Sequence, residues 1–115
     1  EDDWISSNPG RPPASPHHPK GLARPAVVWF GESLPEGAME LATAAALESD
    51  MCFSIGTSTM VQPAASLPFI ALEAGASVIE INPVPTSLSS LASFSLQATA
   101  AEALIAIRDA LAGGK

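Results

Sequence analysis

From residue 26 onward, short apolar runs alternate with longer amphipathic ones. Residues 26–30 are apolar, β-branched and aromatic and stop at Gly31, which predicts a buried strand. Ser33-Leu34-Pro35-Glu36 predicts a helix start, with Pro35 in the first turn and Glu36 near the positive helix end. Met39, Ala42, Ala46 and Leu47 then supply an inward stripe as far as Ser49. Residues 51–55 predict a second strand, closed by Gly56-Thr57-Ser58. Residues 63–74 predict a second helix, with Leu67, Ile70 and Ala71 on one face and Gly75 as its stop. Residues 78–81 predict a third strand ending at Asn82-Pro83, and residues 94–96 a weaker fourth. Thr99 and Glu102 have capping-box spacing and open a last helix, with Leu104, Ile107 and Leu111 facing inward.

Strand, helix, strand, helix, strand is the order of an α/β parallel sheet with right-handed crossovers, here of three to four strands. Strands that are apolar nearly throughout imply helices on both faces. Ligands of such sheets bind beyond the carboxyl ends of the strands. Those ends are Gly31-Glu32, Gly56-Thr57-Ser58 and Asn82-Pro83. A glycine followed by two hydroxyl residues suits a phosphate or ribose, and equally an ordinary turn with a hydroxyl cap. Asn82 suits a ribose hydroxyl or a plain Asn-Pro turn. Glu32 reads as an acid, a base or a positioning group, or as a cap on the next helix.

Composition narrows the picture. The chain has 115 residues, enough for one ordinary domain or part of a larger one, and 47% of them are hydrophobic, which argues against global disorder. Twelve acidic residues against five basic ones leave a net charge of −7, which argues against nucleic acid or an anionic membrane as partner. Residues 51–72 and 81–101 carry no charge and are long enough to span a bilayer, but prolines, Gln62, Asn82 and many hydroxyls speak against that. No secretory signal pattern opens the chain, and Glu1 in place of Met hints at a fragment or processed chain. Cys52 is the sole cysteine, so intrachain disulfides are excluded and a cytoplasmic setting is expected. Six of the eleven prolines fall in the first 25 residues, beside Glu1, Asp2 and Asp3, so residues 1–24 read as a flexible, proline-rich segment ahead of a folded part at 25–112.

Taken in order, Arg24-Pro25-Ala26-Val27-Val28-Trp29-Phe30-Gly31-Glu32, Gly56-Thr57-Ser58 followed by Pro63-Ala64-Ala65, and Glu80-Ile81-Asn82-Pro83 resemble the sirtuins, NAD-dependent protein-lysine deacylases. The resemblance covers most of the chain, from about Pro16 to Leu111, and its tryptophan version is similar to the bacterial and mitochondrial branch that includes desuccinylases. It implies the C-terminal half of a Rossmann domain with NAD as cofactor. Gly56, Thr57 and Ser58 would meet the NAD phosphates and ribose, Asn82 the adenosine ribose, and Thr99-Ala100 the adenine, where relatives often carry Lys-Ala. An acyl-lysine peptide would lie as an added strand between Val28, Phe30, Gly31 and Glu32 on one side and Val61 on the other. Gln62 stands where many members have tyrosine.

The departures are as informative. The family's Gly-Ala-Gly loop, its Gln-Asn-Ile/Val-Asp segment and its catalytic His-Gly pair do not occur in this sequence. His17 and His18, the only histidines, read as a solvated pair in a loop, so no catalytic residue is expected in the chain. Ser15 and His18 stand where the second cysteine pair of the family's structural zinc would fall, so that zinc is expected to be lost. Cys52 reads as a small buried apolar residue. Two readings remain. The chain is the NAD-binding part of a deacylase, inactive without its missing half, or a non-catalytic nucleotide-binding or interaction remnant. A half-sheet would leave an open edge at residues 27–30, which predicts self-association or docking onto that missing half.

Overall fold

A computed structural model describes residues 12–113. Glu1, Asp2, Asp3 and Pro9 lie outside the described residues. The chain divides between Leu34 and Pro35 into two compact units, each described by itself.

In the first unit, the proline-rich stretch carries a closed turn. An antiparallel bridge joins Ala14 to Leu22. Ser15 N donates to Gly21 O at 2.8 Å, Gly21 N to His18 O at 3.0 Å, and Ala23 N to Pro13 O at 2.6 Å. Residues 26–30, expected as a buried strand, are coil and turn instead. A strand needs a ladder partner, and none among the described residues pairs with this segment; Phe30 is 94% exposed. The segment is closed on itself by Glu32. Arg24 Nη2 donates to both carboxylate oxygens, at 2.7 and 2.9 Å, and Arg24 Nη1 donates to Val27 O at 2.6 Å. Trp29 N donates to Glu32 Oε2 at 3.0 Å, and the guanidinium sits 4.6 Å from the Trp29 ring centroid. The Trp29 amide and then the Arg24 guanidinium hold the Glu32 carboxyl below the usual carboxylate range.

The second unit begins with a turn rather than with the expected helix start at Pro35. Gly37 takes a left-handed conformation, φ 74°, which no helix interior accepts, so helix α1 runs Ala38–Glu48. Strand β1 (Met51–Ile55) matches its expected bounds. The next helix opens as a 3-10 turn, Ala64–Ser66, before α2 (Leu67–Glu73). Pro68 has no N–H to offer the Ala64 carbonyl, and Leu67 N takes that acceptor through the tighter 3-10 bond. The α2 C-terminus is a Schellman motif: Ala76 N donates to Ala71 O and Gly75 N to Leu72 O, with Gly75 at φ 96°. Strands β2 (Ser77–Ile81) and β3 (Phe94–Leu96) come next, then α3 (Ala100–Gly113).

The sheet has three parallel strands in the order β1-β2-β3. Met51 pairs with Ser77 and Ile55 with Ile81; Ile79 pairs with Phe94 and Ile81 with Leu96. One face holds Cys52, Ser54, Val78 and Glu80, packed against α1, α2 and the segment after β2. Its core is Ala46, Ala71, Ala76, Val78 and Leu88. The opposite face of β1, carried by Met51, Phe53 and Ile55, is exposed, contrary to the expectation of cover on both faces. Two expected stripes also shift. Leu47 is 56% exposed, and on α3 the buried residue is Ala103 while Leu111 is 79% exposed. The capping box does form: Thr99 N donates to Glu102 Oε2 at 3.0 Å and Glu102 N to Thr99 Oγ1 at 3.3 Å. Among the described residues no helix is long and apolar enough to cross a membrane.

This packing ranks two substitutions. Leu88→Ala empties a site with no solvent exposure and is expected to cost ~2–5 kcal/mol. Leu47→Ala is expected to stay within about 0.5 kcal/mol; urea denaturation of both variants checks the ranking. In the first unit, a carboxyl whose folded pKa is depressed stabilises the Arg24–Glu32 loop above the ordinary carboxylate range and ceases to do so as pH falls through the folded pKa. In a Trp4→Phe background, Trp29 emission is therefore expected to change below the ordinary glutamate range, and Glu32→Gln is expected to abolish that transition.

Candidate functional site

The three strands of the sheet end together, and hydrogen bonds that continue the ladder past the last paired residues anchor the loops beyond. Gly56 N donates to Ile81 O at 2.9 Å, and Asn82 N donates to Leu96 O at 3.1 Å. This sets Gly56 beside the end of β2, and Asn82 beside the end of β3. The Thr99 cap comes three residues after β3 and leads directly into Ala100, the first residue of α3. Gly56, Thr57, Ser58, Asn82, Thr99 and Ala100 are thereby brought to the carboxyl end of one parallel sheet, where α/β folds bind ligands.

Each of these positions has a definite local role. Gly56 has φ 64°, and a Cβ there would meet nothing within 4 Å, so backbone conformation rather than space demands the glycine. Thr57 and Ser58 are exposed. Thr57 Oγ1 accepts from Thr59 N at 3.3 Å, and Thr59 Oγ1 donates to Ser58 O at 2.7 Å. Asn82 is buried, and its Nδ2 donates to Val84 O at 2.7 Å, fastening the turn that follows β2. One of the two amide N–H groups is used there, so what Asn82 offers a ribose hydroxyl is its Oδ1 acceptor and the second N–H. The Thr99 hydroxyl is committed to Glu102, which it reaches at 2.7 Å, leaving backbone N–H groups at the start of α3 as the free polar groups there.

The most heavily bonded group at this end of the sheet is one that sequence reasoning missed. Glu80 is 2% exposed, and its carboxylate accepts hydroxyls from Thr86, Ser89 and Ser95, the last at 2.8 Å. Burial pushes the Glu80 carboxyl up, but donation from Ser89, Thr86 and Ser95 outweighs it and leaves the group below its usual value. The donors lie 6, 9 and 15 residues away, a spacing with no helical or strand period to mark it. Beneath the Gly56 loop an apolar cavity of about 390 Å³ is lined by Cys52, Ser54, Thr57, Thr59, Val61 and Pro68, among others. Burial pushes the Cys52 thiol up, the environment of an inert thiol.

The other expected site residues are divided between the units. Val61 is exposed in the loop before the 3-10 turn. Val28, Phe30, Gly31 and Glu32 belong to the first unit, and the Glu32 carboxylate is turned to Arg24 and Trp29 rather than capping the next helix. Ser15 and His18 flank Gly21 in the closed turn, and Ser15 Oγ accepts from His17 N at 3.3 Å. One imidazole and one serine hydroxyl do not make a tetrahedral zinc set, and the described residues contain no cluster of three metal-ligating side chains. The residues present do not fit a structural zinc. The carboxyl end of the sheet, with its left-handed glycine, exposed hydroxyls and free helix-start amides, does fit the adenosine side of a dinucleotide.

Comparison with known proteins agrees with this geometry. The profile of the Sir2 family matches residues 6–63. NAD-dependent protein deacylase 1 of Pseudomonas aeruginosa is 52% identical over 85 residues, which are 72% of this chain and 34% of that protein. The chain therefore spans about a third of the length of that relative. A crystal structure of a Sir2 homologue–NAD complex superposes with a TM-score of 0.71 at 40% identity, covering 89% of this chain and 41% of the other. A Sir2–p53 peptide–NAD+ structure gives 0.71 at 29% identity, covering 90% and 42%. With a family match over half its length, and solved relatives sharing its parallel sheet, the chain belongs to the Sir2 family.

Proposed function

We propose that this chain is the adenosine-side part of an NAD-dependent protein-lysine deacylase, contributing one wall of the acyl-lysine cleft. The observation that carries the reading is the convergence of Gly56, Asn82 and the start of α3 at the carboxyl end of one sheet. It is supported by the deacylase relatives and by the solved family structures holding NAD or peptide. Backbone amides at Gly56-Thr57-Ser58 would take the phosphates and ribose, Asn82 Oδ1 a ribose hydroxyl, and the Thr99-Ala100 backbone the adenine. NAD, when bound, supplies an anomeric carbon with nicotinamide as leaving group for acyl transfer. The chain's own part is binding and orientation, and the general base would come from the remainder of the enzyme.

The candidates for pairing with an extended peptide are the backbone near Val28, Phe30, Gly31 and Glu32 in the first unit and, separately, that near Val61 in the second. Main-chain pairing accepts varied sequences, and the Glu32 carboxylate, held by Arg24, keeps that loop in shape rather than contacting substrate. Both β1 and β3 are edge strands of the sheet, in which residues 27–30 take no part, and the β1 edge carries the exposed Met51, Phe53 and Ile55. That edge is the proposed seat of self-association, or of docking by the rest of the enzyme.

Calorimetric titration with NAD is expected to show binding at or below about 1 mM, reduced about tenfold in Asn82→Ala. Absence of heat at that concentration sinks the binding reading, and deacylase turnover by the isolated chain would show that a general base is present in it. In sedimentation, the chain is expected to associate with rising concentration, and Phe53→Lys to return it to a monomer.

A further inference from the structure

The groups around Glu80 do more than satisfy a buried charge. Two of its three donors are themselves acceptors: Thr86 Oγ1 takes Leu88 N at 3.1 Å and Ser89 Oγ takes Thr86 N at 2.8 Å. Each of these hydroxyls thus relays a backbone N–H onto the carboxylate, and because a carboxylate only accepts, the direction of every proton is set. Ser95 on β3 supplies the third bond, so one side chain on β2 ties the 86–89 turn to β3.

A second link leaves this turn in the other direction. Ser87 Oγ lies 3.0 Å from Thr59 Oγ1, in the loop after Gly56-Thr57-Ser58. The Thr59 proton goes to Ser58 O, so Ser87 is the donor of this bond. Thr59 is buried and sits at φ 53°, a left-handed conformation that is strained for a β-branched residue. Such a conformation persists only where its surroundings hold it.

We propose that Glu80, Ser87 and Thr59 are positioning residues of one hydroxyl network that couples the Gly56-Thr57-Ser58 loop to the Asn82 loop and β3, so that the phosphate-side and ribose-side contacts are ordered together. The network lies behind the ligand-facing residues and acts through them. For its ligand readout the inference rests on the dinucleotide reading above; the coupling itself does not.

The test uses the full chain carrying Ser87→Ala, Thr59→Val, both together, and Thr59→Ser. Amide hydrogen exchange at residues 57–60 is expected to rise about tenfold in each of the first two variants, and to stay near the wild-type rate in Thr59→Ser, which keeps the hydroxyl. Affinity for ADP-ribose is expected to fall about tenfold in Ser87→Ala and at least as far in Thr59→Val, which also loses its bond to Ser58 O, with the double variant matching Thr59→Val because both singles break the Ser87–Thr59 bond. A purely structural role would lower the denaturation midpoint and leave affinity unmoved. Unchanged exchange at 57–60 in Ser87→Ala, or single effects on affinity that add in the double variant, overturns the coupling. If the wild-type chain takes up no ADP-ribose, the dinucleotide reading fails, and the exchange comparison still decides the coupling.

Discussion

A carboxylate taken out of water must find donors or give up its charge, and in this fold Glu80 finds three. Much else depends on that arrangement. Thr86 and Ser89 can reach Glu80 only if the segment after β2 turns back over the sheet. That same turn carries Leu88 into the core beside Val78 and Ala71. A polar requirement and an apolar one therefore select the same path for the chain. Ser95 extends the constraint to β3, whose three residues are short and exposed and would hold poorly on ladder bonds alone.

The candidate site inherits its geometry from this framework. Gly56 and Asn82 are each tied to the neighbouring strand by one backbone bond, so the loops of the candidate site start from fixed points. Beyond those points, short side chains shape the loops, through an amide bond from Asn82 to Val84 O, hydroxyl bonds around Thr59 and a capping box at Thr99. Small polar residues allow a nucleotide to approach backbone amides closely, which is what phosphate and ribose recognition requires. The apolar cost appears elsewhere. One face of β1 is bare, which leaves Met51, Phe53 and Ile55 in contact with solvent.

The sequence by itself determined the elements whose signal is local. Strand 51–55 and the β3 segment are runs of the right composition between turn residues, and the Thr99–Glu102 box is a fixed spacing whose two bonds form within one helical turn. Gly75 ends α2 because only glycine takes φ 96° without strain. The motifs of the candidate site were legible for a related reason: they sit directly after strands, and a parallel sheet puts all such points at one end. Only the tertiary structure decided the rest. Residues 26–30 have a strand's composition, but a strand exists only where a partner supplies its ladder bonds, and Arg24 and Glu32 fold this one into a loop instead. The helix stripes were misjudged at Leu47 and Leu111 because periodicity marks a face without saying what covers it. Glu80 was invisible as a centre because its partners are scattered serines and a threonine that only folding gathers around one charge.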